Sequence, residues 1–139
     1  MNIQVKSIDI NGTVSEHNNH ICYLGIIKHL ALAGQGFQPR LYKLMRSIGF
    51  FLHYSEYLNP NILNTNKFSK PREELYDPTE ISQFSNLVGK AIADYLSKSI
   101  YGCNLTLNYE GVMKLVNPNL NFNKTRADLI AINLSNWKT

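Results

Sequence analysis

Three cations are spaced three residues apart in a segment that has no acidic residue. Arg40, Lys43 and Arg46 fall within positions 17–55, where no Asp or Glu occurs. Several cations on one face of a helix can meet the phosphates of a nucleic acid. The spacing therefore predicts a nucleic-acid contact, although a solvated flank of an amphipathic helix explains the same residues without one.

The formal charge of the chain is concentrated in that segment. The 139 residues include 14 Lys+Arg and 10 Asp+Glu, which gives a net charge of +4. With Lys28 added to the three cations above, positions 17–55 hold the whole +4 and the rest of the chain sums to zero. This mild excess permits DNA or another acidic partner and does not require one.

The elements of the N-terminal half are predicted to be a hairpin and two helices. Asn11-Gly12 suits a tight hairpin turn. Positions 21–33 form an apolar run of helical length that ends before Gly34. Pro39 can open a second helix, because its missing N–H would be unpaired in the first turn. Helix, turn and helix suggest a helix-turn-helix unit with a turn longer than usual. The apolar stripe of the second helix comprises Leu41, Leu44, Met45, Ile48, Phe51 and Leu52.

A strong helix start introduces the second half of the chain. Asp77 can cap the first free amides, Pro78 suits the first helical position, and Glu80 can reach back to complete a capping box. The helix is predicted to run through about Ile100 and to stop at Gly102. Its apolar side comprises Ile81, Phe84, Val88, Ala91, Ile92 and Tyr95.

Two strands are predicted after this helix. Apolar residues alternate with polar ones over positions 105–109, as in a half-buried strand. Positions 127–134 form a second strand, whose nearly continuous apolar centre predicts cover on both faces. Asp128 lies at the start of this strand. A purely structural role for its carboxylate is a surface ion pair with Arg126 or Lys124.

Together these elements predict one domain of the α+β, or α/β, class. A helical half over 1–54 is followed by a connector over 55–77, whose composition is that of turns and surface loops. Positions 78–139 supply the long helix and the strands. A chain of 139 residues is long enough for one core and too short for two ordinary domains.

Glu80, Ala127-Asp128 and the hydrophobic run 129–132 resemble the opening of a restriction-endonuclease-like core, the PD-(D/E)xK superfamily. The resemblance covers roughly residues 75–139 and makes the helical half an N-terminal extension. It implies Mg²⁺-dependent hydrolysis of phosphodiesters, with the metal on carboxylate oxygens. Asp128 matches the first metal ligand, and Glu80 matches the acidic residue that many members carry on the first helix.

The chain departs from that family's pattern in one important respect, since no acid-x-Lys follows. If Ser135-Asn136 turned the chain into a hairpin, Asp128 would face position 143, beyond Thr139. One strand-borne carboxylate is a poor Mg²⁺ site. We therefore expect a DNA-associated relative of these nucleases that is catalytically incomplete or truncated. The alternative is a small basic helix-turn-helix-like module that binds nucleic acid or protein without catalysis.

Partners and location follow from weaker signals. Cys22 and Cys103 lie in no metal-like or redox-like spacing, so we expect free thiols and a cytoplasmic protein. No apolar stretch approaches the length of a membrane span, and we expect no membrane partner. A sheet edge left open by the absent third strand would offer a surface for homo-oligomers.

Overall fold

The computed structural model describes residues 2–8, 11–55, 57–58, 77–119 and 127–137. In chain order, the elements are β1 (Asn2–Ile8), β2 (Val14–His20), α1 (Tyr23–Leu32), α2 (Arg40–Tyr54), α3 (Pro78–Ser99), β3 (Leu105–Asn108), α4 (Tyr109–Val116), β4 (Leu129–Ile132) and a 3₁₀ helix (Leu134–Trp137). The strands form two separate antiparallel pairs, β1 with β2 and β3 with β4. The fold is therefore α+β, as predicted.

The N-terminal hairpin forms where the Asn-Gly turn predicts it. β1 and β2 pair in antiparallel register, with Ile8 opposite Val14. Gly12 supplies the positive φ, 81°, that such a turn favours. The hairpin contacts the helices through Ile3, which packs against the core, and through the carbonyl of His20, which accepts a bond from the Tyr95 hydroxyl.

The core lies where α1 meets α3, and it confirms the predicted apolar face of α3. Apolar side chains recur every three or four residues on both helices, so each presents one buried stripe to the other. The Asp77 carboxylate caps α3 by accepting a bond from the backbone N–H of Thr79 at 2.6 Å. The central buried residues are Ile26, Ile27, Leu30, Phe84, Val88 and Ala91.

Helix α2 forms as predicted but buries none of its residues. Phe50 and Tyr54 pack against the core, and the ring of Phe51 lies 6.1 Å from that of Tyr23. The rest of the predicted apolar stripe faces solvent, because α2 packs through the face beside it. The exposed members include Leu41, Leu44, Met45, Ile48 and Leu52.

The connection between α1 and α2 extends the second sheet. Gln35 forms a bridge to Leu107, and backbone bonds join Gly36 to Thr106 and Asn108 to Gly34 at 3.1 Å each. Residues 34–36 therefore cover the β3 edge of the sheet. The predicted homo-oligomer would have to form along β4, and it stays a prediction.

Several predicted boundaries in the second half are wrong. The third strand stops at Asn108, whose side chain caps the unpredicted helix α4 by accepting a bond from Gly111 N. Its partner spans Leu129–Ile132 instead of 127–134, and none of its residues is fully buried. The 3₁₀ helix replaces the expected hairpin turn at Ser135, so the register argument that placed Asp128 opposite position 143 does not apply.

The connector is only partly described. Tyr57 and Leu58 are buried in the core cluster, which corrects the prediction that all of 55–77 is surface loop. Tyr57 makes ring contacts with Tyr54 and Phe84, so these aromatic side chains bring the end of the helical half onto α3. The remainder of the predicted connector, position 56 and positions 59–76, lies outside the described residues.

Gly34 provides a test of the junction between α1 and the second sheet. Its φ is 73°, and a Cβ at this position would lie 2.8 Å from Leu129 Cδ2. We expect Gly34→Ala to lower the free energy of unfolding by about 1–2 kcal/mol, because the left-handed backbone is strained for L-residues. Urea denaturation followed by circular dichroism measures the change.

Gly49→Ala is the matched control, because Gly49 lies inside α2 and a Cβ added there would have no neighbouring atom within 4 Å. Alanine favours a helix interior, so this variant should be as stable as the wild type or up to about 1 kcal/mol more stable. Equal effects of the two substitutions would contradict the strained junction.

Candidate functional site

The three cations predicted to meet phosphate have different environments. The Arg46 guanidinium donates through Nε to the carbonyl of Ala31 at 2.6 Å and lies 4.8 Å from the ring centroid of Phe50. Arg46 therefore fastens α2 to the end of α1. Arg40 is exposed and Lys43 is half-buried. Neither has an ion-pair partner within the part of the chain that the structure describes.

The predicted acidic residue Glu80 is held by an aromatic hydroxyl. Its Oε2 accepts a hydrogen bond from the Tyr57 hydroxyl at 2.7 Å. Asp77 alone carries the side-chain cap of α3, and bonds from Thr79 hold the pKa of the Asp77 carboxyl below its usual value. Glu80 thus joins the start of α3 to a buried tyrosine.

The other predicted site residue, Asp128, lies immediately before β4. Its side chain is 65% exposed, and its Oδ2 is 3.9 Å from Nζ of Lys90. Lys90 follows Glu80 on α3 by ten residues, or about 15 Å along the helix axis. The Glu80 carboxylate therefore lies near the start of α3, whereas the Asp128 carboxylate lies beside a later turn of the same helix. The structure does not bring the two predicted carboxylates together. The suggested partners of Asp128, Arg126 and Lys124, lie outside the described residues.

A buried carboxylate that the sequence reasoning missed organises the centre of the molecule. Asp94, on α3, has a fully buried side chain. Its Oδ2 is 2.5 Å from Nδ1 of His29, and its Oδ1 is 2.7 Å from Nζ of Lys98. The Thr106 hydroxyl donates to Oδ1 as well, and it accepts a bond from Gly34 N at 3.0 Å.

These contacts keep Asp94 ionised. Burial by itself raises the pKa of the carboxyl, but the hydrogen bonds from its three partners and the charge of Lys98 outweigh it. The net result is a pKa lowered from 3.8 to about 2. The ionised carboxylate can only accept, so His29 donates from Nδ1.

The cluster around Asp94 has no room for a substrate at its histidine. The His29 side chain is 12% exposed and borders an apolar cavity of about 10 Å³, which is the size of one water at most. The ring of His29 also contacts that of Tyr95, with centroids 5.4 Å apart. A histidine oriented by a carboxylate can act as a base, but here the imidazole and carboxylate serve to join elements.

The sequence did contain a signal for this cluster. Asp94 follows Ala91 by three residues and so falls on the buried stripe of α3, where a charged side chain requires partners. Its partners lie 65 and 12 residues away in the chain, at His29 and Thr106. Periodicity alone cannot identify them.

A basic cleft lies beside the cluster and includes Lys98 and Thr106 in its lining. It has a volume of about 260 Å³ and is lined by residues of α1, the α1–α2 connection, α2, α3 and β3. Lys28, Lys43 and Lys98 contribute its cations, and Phe37 and Asn104 also border it. Within the described ranges, no three His, Cys, Asp or Glu side chains are grouped as a metal site would require.

Comparisons with known proteins give no family for this chain. No family model matches its sequence, and no curated protein or solved structure is significantly similar to it. None of the helices in the described ranges has both the length and the apolar character needed to cross a membrane.

Acid should weaken the fold through Asp94. Its pKa is lower in the folded chain than in the unfolded one, so its contribution is fully present above about pH 4 and is lost as pH falls through 2. The shift corresponds to about 2 kcal/mol of unfolding free energy. We expect Asp94→Asn to lower the free energy of unfolding by about 2–4 kcal/mol at pH 7. The variant should also lack the loss of stability that protonation of Asp94 causes at low pH.

Denaturant unfolding at pH 7, 4 and 2 measures both effects. Asp128→Asn is the matched control, because this exposed carboxylate contributes little and should change stability by less than about 0.5 kcal/mol. An Asp94→Asn variant as stable as the wild type at pH 7 would contradict the organising role of the carboxylate.

Proposed function

We propose that the chain binds nucleic acid through the basic surface formed by Lys28, Arg40 and Lys43. One observation carries this proposal: among the residues that the structure describes, every lysine outside positions 17–55 is ion-paired, whereas Lys28, Arg40 and Lys43 have no ion-pair partner. The paired lysines and their partners are Lys6 with Glu16, Lys90 with Asp128, Lys98 with Asp94, and Lys114 with Glu110.

These cations suit phosphate contact because no carboxylate of a described residue is paired with them. Lys28 and Arg40 are exposed and Lys43 is half-buried, on two neighbouring helices. Cations that contact phosphates release counterions from the nucleic acid, which gives affinity without base recognition. The two free cysteines are in keeping with the cytoplasmic location that we include in this proposal.

Removal of two of these cations tests nucleic-acid binding. We expect Arg40→Ala/Lys43→Ala to weaken binding of a 20-nucleotide DNA, single- or double-stranded, by roughly tenfold at low salt. The slope of log affinity against log salt should become shallower by about 2, since two phosphate contacts are lost. Fluorescence anisotropy measures the affinity and its salt slope over roughly 20–200 mM salt, where phosphate contacts respond to salt.

Lys6→Ala/Lys114→Ala is the control of equal net charge, because both lysines are paired with local carboxylates. This variant should keep the affinity and the salt slope of the wild type. Absence of binding by the wild type, or equal losses in the two double variants, would refute the proposal.

A second candidate function is supported by the surroundings of Asp128. An exposed carboxylate at the head of β4 lies beside the Lys90 ammonium, and β4 packs against α3. This arrangement supports our proposal that roughly residues 75–139 are related to the restriction-endonuclease-like core. Asp128 would contribute to holding Mg²⁺ there, and the metal would stabilise charge on a phosphate. Glu80 is bonded to Tyr57, so the ligand set around Asp128 is incomplete.

The nuclease relationship and its incompleteness can be tested together. We expect the purified chain to show no Mg²⁺-dependent cleavage of plasmid DNA, because one carboxylate beside a lysine is a weak Mg²⁺ ligand set. A gel assay of the plasmid, with and without Mg²⁺ at a concentration of about 10 mM, detects nicking. Cleavage that Asp128→Asn abolishes and Glu110→Gln leaves intact would show a complete active site instead.

A further inference from the structure

The basic cleft beside Asp94 combines features that suit a single nucleotide. Its volume is about 260 Å³, and the lysines that line it come from three different helices. Side chains that converge from separate elements on one cleft are better placed to hold a compact anion than cations along one exposed face. The cleft shares Lys28 and Lys43 with the basic surface proposed above and adds Lys98 and Phe37 to them.

The net charge of the cleft is positive even after local pairing. Lys98 is compensated by Asp94, at 2.7 Å. Lys28 and Lys43 have no ion-pair partner in the described part of the chain, so their charges remain available. The Thr106 hydroxyl is already used by Asp94 and Gly34. A phosphate group would accordingly lie between Lys28 and Lys43.

An aromatic ring borders the same cleft. Phe37 is 73% exposed, so its ring is accessible to a ligand. The residue before it is fixed to the sheet, because Gly36 N donates to the carbonyl of Thr106 at 3.1 Å. An exposed aromatic ring beside cations is the arrangement on which proteins stack nucleic-acid bases.

A side-chain amide adds a hydrogen-bond donor. The Oδ1 of Asn104 accepts a bond from Leu134 N at 2.9 Å, which orients the amide. Its NH₂ group makes no hydrogen bond to any residue that the structure describes. The cleft thus offers cations for phosphate, a ring for a base and a donor for a base or sugar oxygen.

We propose that this cleft binds one nucleotide, with its phosphate between Lys28 and Lys43 and its base against Phe37. The nucleotide is either free or one unit of a single strand, and in the latter case the inference rests on the nucleic-acid binding proposed above. Nothing in the cleft requires a reaction, so the proposal concerns binding alone.

Titration with adenosine 5′-monophosphate, adenosine and inorganic phosphate tests the site. We expect the nucleotide to shift the backbone amide resonances of Gly36, Phe37 and Asn104 in ¹H–¹⁵N spectra. It should bind at least about tenfold more tightly than phosphate or adenosine, because it uses both parts of the cleft. Equal affinity for phosphate and nucleotide would overturn the assignment of the base to Phe37.

Substitutions distinguish the two parts of the cleft. Phe37→Leu should weaken nucleotide binding about tenfold, and Lys28→Gln/Lys43→Gln should abolish the shifts. Tyr42→Leu is the control, because Tyr42 is an exposed aromatic residue that lines a separate cleft. Circular dichroism confirms folding of each variant. Equal losses for Phe37→Leu and Tyr42→Leu, or no loss for Phe37→Leu, would refute the site.

A 12-nucleotide single strand and a duplex of the same sequence separate this inference from the proposed function. Weaker binding of the single strand but not of the duplex by Phe37→Leu supports both proposals. Binding of the mononucleotide without either oligonucleotide supports a free-nucleotide site and refutes the proposed function. Oligonucleotide binding that depends on Arg40 but not on Phe37, with no response to the mononucleotide, refutes the nucleotide site alone.

Discussion

A carboxylate without access to water must be matched by donors, and in this protein that requirement determines which elements meet. Transfer of an ionised group into a protein interior is costly unless hydrogen bonds and an opposite charge compensate it. Asp94 finds these on α1, on α3 itself and on β3. The Thr106 hydroxyl also accepts a hydrogen bond from the backbone N–H of Gly34, just after α1. One buried charge thereby fixes the helix pair, the second sheet and the turn between the first two helices relative to one another.

Ion pairing accompanies the local distribution of positive charge in the sequence. The described cations outside 17–55 each neutralise a carboxylate, including Lys98, which is needed inside. Within that segment, Arg46 holds the fold through a backbone carbonyl and an aromatic ring, and the other three cations have no ion-pair partner among the described residues. This difference is why we propose that they contact phosphate, both on the open face of α2 and in the cleft next to Asp94. Two members of the buried cluster, Lys98 and Thr106, form part of the wall of this cleft.

Much of the fold could be predicted because it depends on local signals. Asn11-Gly12 and Asp77-Pro78 mark a hairpin and a helix start by backbone preferences alone, and the stripe on α3 marks the core. Periodicity shows that a helix has an apolar face but not which element covers it, so the exposure of the stripe on α2 was not foreseeable. Helix α4 was missed because Tyr109 continues the alternation of the strand before it. The partners of Asp94 were beyond reach, since their contacts span up to 65 residues.

That long span has a consequence for the order in which the molecule can assemble. The hairpin closes within a few residues and can form on its own in microseconds, whereas the His29–Asp94–Thr106 connection waits until distant parts of the chain meet. During synthesis, the 74 residues from Leu32 to Thr106 take about 4–15 s at roughly 5–20 residues per second. For most of that interval, until α3 is complete at Ser99, the apolar face of α1 lacks the helix that covers it. The helical half is continuous in the sequence, but its core depends on the second half of the chain.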